Sequence, residues 1–151
     1  MRPAEELRYL ILAAQREGNR LLAQSLRPLG ITPSQAEVLR VLRDRQPLTL
    51  SGLGELLVCE SGNSPSRLVD RLTSTGLVQR QVPEHDRRQV ELTLTEEGAR
   101  VARQVVEIEE SLHGSIDAAL QAEDFAQISG FLWAFVRDLP AGQALARRLG
   151  T

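Results

Sequence analysis

Asp86-Arg87-Arg88 places two adjacent guanidinium groups at the end of a polar loop between two segments of strand-like pattern. Upstream, Arg67 and Arg71 are four residues apart, which puts them on one face of any helix that carries them. A guanidinium is planar and offers paired N–H donors, so it can bind a phosphate or the O6/N7 edge of guanine through two hydrogen bonds. A cationic hairpin tip beside a helix with cations on its outer face is therefore suited to probing a nucleic-acid groove. Asp86, next to the pair, can either hold the loop turn or orient a guanidinium.

Elements to carry these groups can be read on both sides. Residues 67–98 have the pattern helix, strand, strand, helix. Leu68 and Leu72, with Val69 at their flank, define the inner face of the first helix, and Gly76 stops it as a glycine just past a helix end does. Residues 77–82 form the first strand candidate and residues 83–87 the loop. Val90, Leu92 and Leu94 then alternate with Gln89, Glu91 and Thr93 in the period of a half-buried strand. Thr95 can cap a long helix, with Glu96 and Glu97 favourably placed at its positive end.

Ahead of this unit, Thr32-Pro33-Ser34-Gln35 is a helix start in which Thr32 caps, Pro33 takes the first position and Gln35 reaches back. Ala36, Leu39 and Leu42 lie on its buried face. Residues 47–50 form an extended link, and Ser51 can cap a brief helix through Leu53, Leu56 and Leu57. A turn at residues 59–62 leads into the arginine-bearing helix. Two helices joined by a short turn, the second amphipathic, form a helix-turn-helix arrangement.

Long apolar-striped helices flank the unit. Residues 4–26 carry Leu7, Leu10, Ile11, Ala14, Leu21, Leu22 and Leu26 at helical spacing, ended by Pro28 and Gly30. After Thr95, Val101, Val105, Ile108, Leu112, Ile116 and Ala119 recur at steps of three and four, a stripe that wants a partner helix. A further helix after Ala122-Glu123-Asp124 is expected to bury Phe125, Ile128, Phe131 or Leu132, Phe135 and Leu139. Pro140 ends it, and residues 141–149 form a tail of a turn or two.

With 151 residues the chain makes one subunit, expected to be mainly α with a small β-hairpin. One Trp, one Tyr and three Phe leave the core to Leu, Val, Ala and Ile. The net charge of −2 argues against a polyanionic partner only if charge is spread evenly, and it is not. Arg67, Arg71, Arg80, Arg87 and Arg88 concentrate in the central unit, while Glu5-Glu6, Glu96-Glu97 and Glu107, Glu109 and Glu110 lie elsewhere. No apolar run reaches membrane-spanning length and the N-terminal residues lack the sections of a signal peptide, so the reading is cytoplasmic with no membrane partner. The lone Cys59 excludes an internal disulfide framework. Glycine-rich phosphate loops, nucleophile elbows and zinc motifs are absent, so the chain is read as a non-enzyme without cofactor or metal. His85 and His113 are each more simply a polar surface residue than a metal ligand.

Five motifs in register resemble the MarR family of winged helix-turn-helix transcriptional regulators. Residues 31–39, ITPSQAEVL, are similar to its LTxxQxxvL opening, and Ser61-Gly62 through Arg67-Leu68-Val69-Asp70-Arg71-Leu72 to its recognition helix. Gly76-Leu77-Val78-Gln79-Arg80, Asp86-Arg87-Arg88 and Leu92-Thr93-Leu94-Thr95-Glu96-Glu97-Gly98 are similar to its GLVxR, DxR and LTxxG signatures. The resemblance implies a DNA-binding lobe over about residues 31–98, and helical dimerisation regions over about 4–28 and 95–149. It further implies a homodimer on a pseudo-palindromic double-stranded operator. Leu7, Leu10, Ile11, Val105, Leu112, Ile116, Phe131 and Phe135 are the candidates for the dimer seam. A repressor released by a small aromatic or anionic effector, bound between the dimer helices and the lobe, is the expected function. A winged-helix protein-interaction module with little DNA binding is the alternative.

On this frame Asn63, Ser64, Ser66 and Arg67 lie at the N-terminal end of the recognition helix, with Arg67 the candidate for guanine and Arg71 for phosphate. In the wing, Arg80 is a phosphate candidate and Arg88 matches the arginine that the family directs into the minor groove, with Arg87 and Asp86 beside it. Either Arg71 or Arg80 can instead pair with Asp70, and exposed arginines are often simply solvated. Pro65 departs from the family pattern. Either Ser64 caps and Pro65 opens the helix, or Pro65 lies deeper in the first turn. Oxidant-sensing members commonly carry their cysteine near the N-terminal helix, so Cys59 is read as a small buried apolar residue. Trp133 is read as packing, not as a pocket wall.

Overall fold

Local signals account for most element boundaries in the computed structural model, which describes residues 1–59 and 64–151. Helix α1 (Pro3–Leu26) opens with Pro3 in its first turn and Glu5 and Glu6 against its positive end. A short 3₁₀ turn (Arg27–Leu29) ends at Gly30, whose φ of 69° is the left-handed conformation a side chain would strain. Helix α2 (Pro33–Arg45) starts in a complete capping box. The Gln35 N–H donates to the Thr32 hydroxyl at 3.3 Å, and the Thr32 N–H donates to the Gln35 side chain at 3.0 Å.

Strand β1 (Leu48–Thr49) leads into the short helix α3 (Leu50–Gly54), and α4 (Pro65–Ser74) follows. The cap of α3 is Thr49, whose hydroxyl accepts the Gly52 N–H at 3.0 Å, and not Ser51 as the sequence reading has it. Thr49, two residues earlier, takes the role at the end of the strand in which Leu48 pairs with Leu92. Strands β2 (Val78–Gln81) and β3 (Glu91–Leu94) form the hairpin, and β1 adds to its other side in the antiparallel order β1-β3-β2. Helices α5 (Glu96–Ala119), α6 (Ala122–Val136) and α7 (Pro140–Leu149) complete the chain.

The core lies inside the central lobe. Val38, Leu39, Leu42, Leu53, Val69, Leu72, Val78 and Leu92 close it from α2, α3, α4 and the sheet, with Val101, Ala102 and Val105 as the contribution of α5. Each such side chain contributes about 1.5–3 kcal/mol by leaving water. Arg40 on α2 bonds Glu109 on α5 at 2.9 Å, so a polar tie extends the same contact.

One junction carries much of the local order. The Thr95 hydroxyl donates to the Gly76 carbonyl at 2.6 Å and accepts the Gly98 N–H at 2.9 Å, which locks the end of α4, the wing base and the start of α5 together. A Cβ on Gly98 would sit 1.8 Å from the Leu77 carbonyl oxygen, backbone against backbone. Gly98→Ala is therefore expected to lower the unfolding free energy by roughly 3 kcal/mol, read as a fall in urea midpoint. An unchanged midpoint would refute this close approach.

Three expectations need correction. Val105 is fully enclosed by its own subunit's core, so it has no surface for a dimer seam. Helix α6 does not bury its apolar face within the subunit: Phe125, Ile128, Phe131, Leu132, Phe135 and Leu139 are all exposed, with Phe135 at 69 %. Their spacing is helical, but α6 finds its main contact in α7 and lies against no broad apolar surface of this chain. Residues 140–149 are not a tail of a turn or two but a ten-residue helix, with Pro140 starting it instead of only ending α6.

Candidate nucleic-acid interface

Helix α4 begins because Ser64 caps it. The Ser64 hydroxyl accepts the Arg67 N–H at 3.4 Å, and Pro65 takes the first helical position, where a missing N–H costs nothing. That decides between the two readings of Pro65. Leu68, Val69 and Leu72 face inward, which turns Ser66, Arg67, Asp70 and Arg71 outward. Asn63 lies outside the described residues. At the far end Gly76 adopts φ 77°, and the Leu77 N–H returns to the Leu72 carbonyl at 2.9 Å, closing the helix with a glycine stop.

The wing is set by its own turn. Asp86 accepts the Arg88 backbone N–H at 3.0 Å through its carboxylate, while its own N–H donates to the Pro83 carbonyl at 3.3 Å. Of its two proposed roles, holding the turn is the one the geometry supports, since its bond goes to backbone and not to a guanidinium. Arg87 and Arg88 are exposed, and among the described residues neither their side chains nor those of Arg67 and Arg71 have a hydrogen-bonded or ionic partner. Arg80 differs. It bonds Asp70 across from β2 to α4, so it braces the wing against the recognition helix and is committed to a carboxylate in this conformation. Between the two alternatives for Asp70, the structure selects Arg80 and leaves Arg71 open.

Away from α4 and the wing in its lining, a cavity of about 580 Å³ opens between α1 and α5. Leu12, Leu22 and Leu112 make its apolar wall, with Arg16, Asn19 and Cys59 as its polar part. Leu112, a proposed seam residue, is thus half-buried beside α1 of its own subunit. Trp133 is half-buried on α6 and is not part of this wall.

Cys59 is exposed, not buried as the sequence reading has it, yet its thiol is pushed up to about 12 from its ordinary value of 9.0, first by partial desolvation and then by the neighbouring Glu37 carboxylate. A thiol so held stays protonated at neutral pH, the opposite of a reactive sensor cysteine. Iodoacetamide at pH 8 is expected to label it about thirtyfold more slowly in the folded protein than in the urea-unfolded chain. The rate should keep rising through pH 10 without a plateau. Equal rates in the two states would contradict that environment.

Among the described residues, no three His, Cys, Asp or Glu side chains gather as a metal site, and no helix is long and apolar enough to cross a membrane. Sequence reasoning found the Thr95 cap but missed the second bond of its hydroxyl, to the Gly76 carbonyl, and missed a buried carboxylate, Glu37. The second leaves a trace in the sequence, a single acid among Ala36, Val38 and Leu39 on a helix buried on most sides.

An amphipathic helix capped at its exposed end, braced to a cationic two-stranded wing, defines a winged-helix DNA-binding protein. The MarR family profile matches residues 31–90. The chain is 30% identical over 139 residues to the organic hydroperoxide resistance transcriptional regulator of Bacillus subtilis, covering 92% of each chain. It is 32% identical over 124 residues to the multiple antibiotic resistance protein MarR of Escherichia coli, covering 82% of this chain and 85% of that one. A crystal structure of a mutant of the E. coli protein complexed with operator DNA superposes with a TM-score of 0.75 at 31% identity, over 87% of this chain and 94% of that chain. The chain belongs to the MarR family, and it is a winged-helix, DNA-binding transcriptional regulator.

Proposed function

We propose that the chain acts as a homodimeric repressor that binds a pseudo-palindromic operator and releases it when a small aromatic or anionic compound occupies the cavity between α1 and α5. The observation that carries this reading is the exposure of Arg67 and Arg71 on α4 and of Arg87 and Arg88 on the wing that Arg80 braces to α4, cations with no acidic partner among the described residues. In this reading Arg67 reads guanine in the major groove, Arg71 and the N-terminal end of α4 meet phosphate, and Arg88 enters the minor groove while Asp86 keeps the wing turn closed. Arg80 serves mainly by bracing the wing through Asp70.

Members of the family are dimers. Two helices of this subunit leave their apolar faces open: Leu7, Leu10 and Ile11 on α1, and Phe131 and Phe135 on α6, with Ile116 near the end of α5. A second copy covers such faces most simply, and two-fold symmetry then presents two recognition helices about one turn of duplex apart. Arg16 and Asn19 at the cavity wall favour an effector with a carboxylate or phenolate on an apolar body. The compartment consistent with such work is the cytoplasm.

A gel shift with DNA from upstream of the gene, run across salt, tests the reading. Specific binding should fall steeply as salt rises, because each phosphate neutralised releases counterions. Absence of any preferred fragment would favour a protein-interaction module instead.

A further inference from the structure

Glu37 is the only buried carboxylate among the described residues, 6 % exposed on a helix whose other inward positions are apolar apart from Ser34. A buried carboxylate persists only where donors meet it. Its Oε1 accepts the Val58 N–H at 2.7 Å and the Arg148 Nη1 at 2.6 Å, and its Oε2 accepts the Cys59 N–H at 2.8 Å. Val58 and Cys59 belong to the segment through which the chain passes from α3 towards Ser64, the cap of the recognition helix. Arg148 comes from the last turn of α7, 111 residues away in sequence.

The same helix end is fastened twice more. Arg45 on α2 donates to the carbonyls of Arg147 and Arg148 at 3.3 and 2.9 Å, which satisfies two acceptors that a helix terminus leaves open. Arg147 donates to the Glu55 carbonyl at 3.3 Å. Helix α7 is thereby seated on the lobe against α2 and the residue that follows α3. Cys59 also forms part of the cavity wall, so one residue touches both the cavity and the carboxylate, five positions ahead of Ser64 in sequence.

We propose that Glu37 and Arg148 form a positioning clamp that sets the entry of the recognition helix according to whether α7 is seated, so that loss of the clamp weakens operator binding without removing a DNA contact. The inference rests on the DNA-binding role given above. Without the guanidinium, Glu37 keeps two backbone donors but loses its countercharge, and its carboxylate is drawn towards water. The hold on Val58 and Cys59 then loosens. Arg148 is a positioning residue here and touches neither base nor phosphate.

The test uses the full chain and a DNA fragment selected by binding to the wild type. Arg148→Met is expected to weaken binding about tenfold, within the usual range of coupling between distant sites, and Arg148→Lys to recover most of the loss. Glu37→Gln should weaken binding similarly, and Glu37→Gln combined with Arg148→Met should be no weaker than the worse single variant, since both remove one link. The slope of log affinity against log salt should stay at the wild-type value, and the amides of Val58 and Cys59 should exchange faster in Arg148→Met. Unchanged affinity, losses that add, unchanged amide exchange, or a slope reduced by about one, which marks a direct phosphate contact, each overturns the clamp. Should Arg148→Met fail to fold, Arg148→Lys and Glu37→Gln carry the same comparison. If the wild type selects no DNA at all, the repressor reading falls, and amide exchange still judges the clamp.

Discussion

Arg67→Ala is expected to weaken operator binding about ten- to a hundredfold and to relax preference at one base position in each half-site. The magnitude follows from the chemistry of a paired guanidinium–guanine contact, worth about 1–3 kcal/mol of discrimination. The subunit itself has little stake in the side chain. Arg67 is exposed one position past two residues of the helix opening, and the cap bond it makes uses its backbone N–H, which alanine keeps. Thermal stability should therefore be close to wild type while affinity falls. Arg88→Ala makes the useful companion: its backbone N–H also stays bonded to Asp86, so the wing turn persists while the tip loses its charge. Anisotropy on a panel of single-base operator variants reads both. A pair of variants with wild-type affinity would remove Arg67 and Arg88 from the grooves.

Phe135→Asp is expected to convert the dimer to monomers at micromolar concentration, with an effect of at least about 2 kcal/mol, as for a central anchor of an interface. Phe135 is 69 % exposed in the subunit, so an aspartate there meets water in the monomer and costs nothing to its fold. Against a second copy the same carboxylate would be buried without a partner. Light scattering after gel filtration gives the mass, and circular dichroism the retained helix content. Operator affinity should fall by more than for either arginine variant, because both half-sites then have to be filled independently. Leu112→Asp divides the two effects less cleanly, since Leu112 is half-buried beside α1 of its own chain and its loss also loosens that contact. A Phe135→Asp protein that stays dimeric would move the seam away from α6.

Much of the architecture was legible because it rests on short-range chemistry. The Thr32–Gln35 capping box, the glycine stop at Gly76, the Thr95 cap and the alternation of Leu92 and Leu94 with Glu91 and Thr93 each depend on residues within a few positions of one another, although Val90, expected to continue that alternation, lies exposed outside β3. The error at Ser51 was of the same local kind. Thr49 and Ser51 are both competent caps, and the pairing of β1 with β3 decides between them. The candidate interface was legible in part: the residue types and their face on α4 follow from helical period, while the pairing of Arg80 with Asp70 needs the wing folded back against the helix.

The sequence by itself determined a winged helix with cations on the outer side of its second helix and at its hairpin tip, because caps, stops and periodicity act over one or two turns of chain. Only the tertiary structure decided which charges are already spent and which apolar stripes remain open. Glu37 meets Arg148 across 111 residues, Val105 is taken up by the subunit's own core, and α6 keeps its phenylalanines outward. Those outcomes turn on which surfaces meet, and a pattern along one strand of sequence carries the period of a helix face without naming the surface that will cover it.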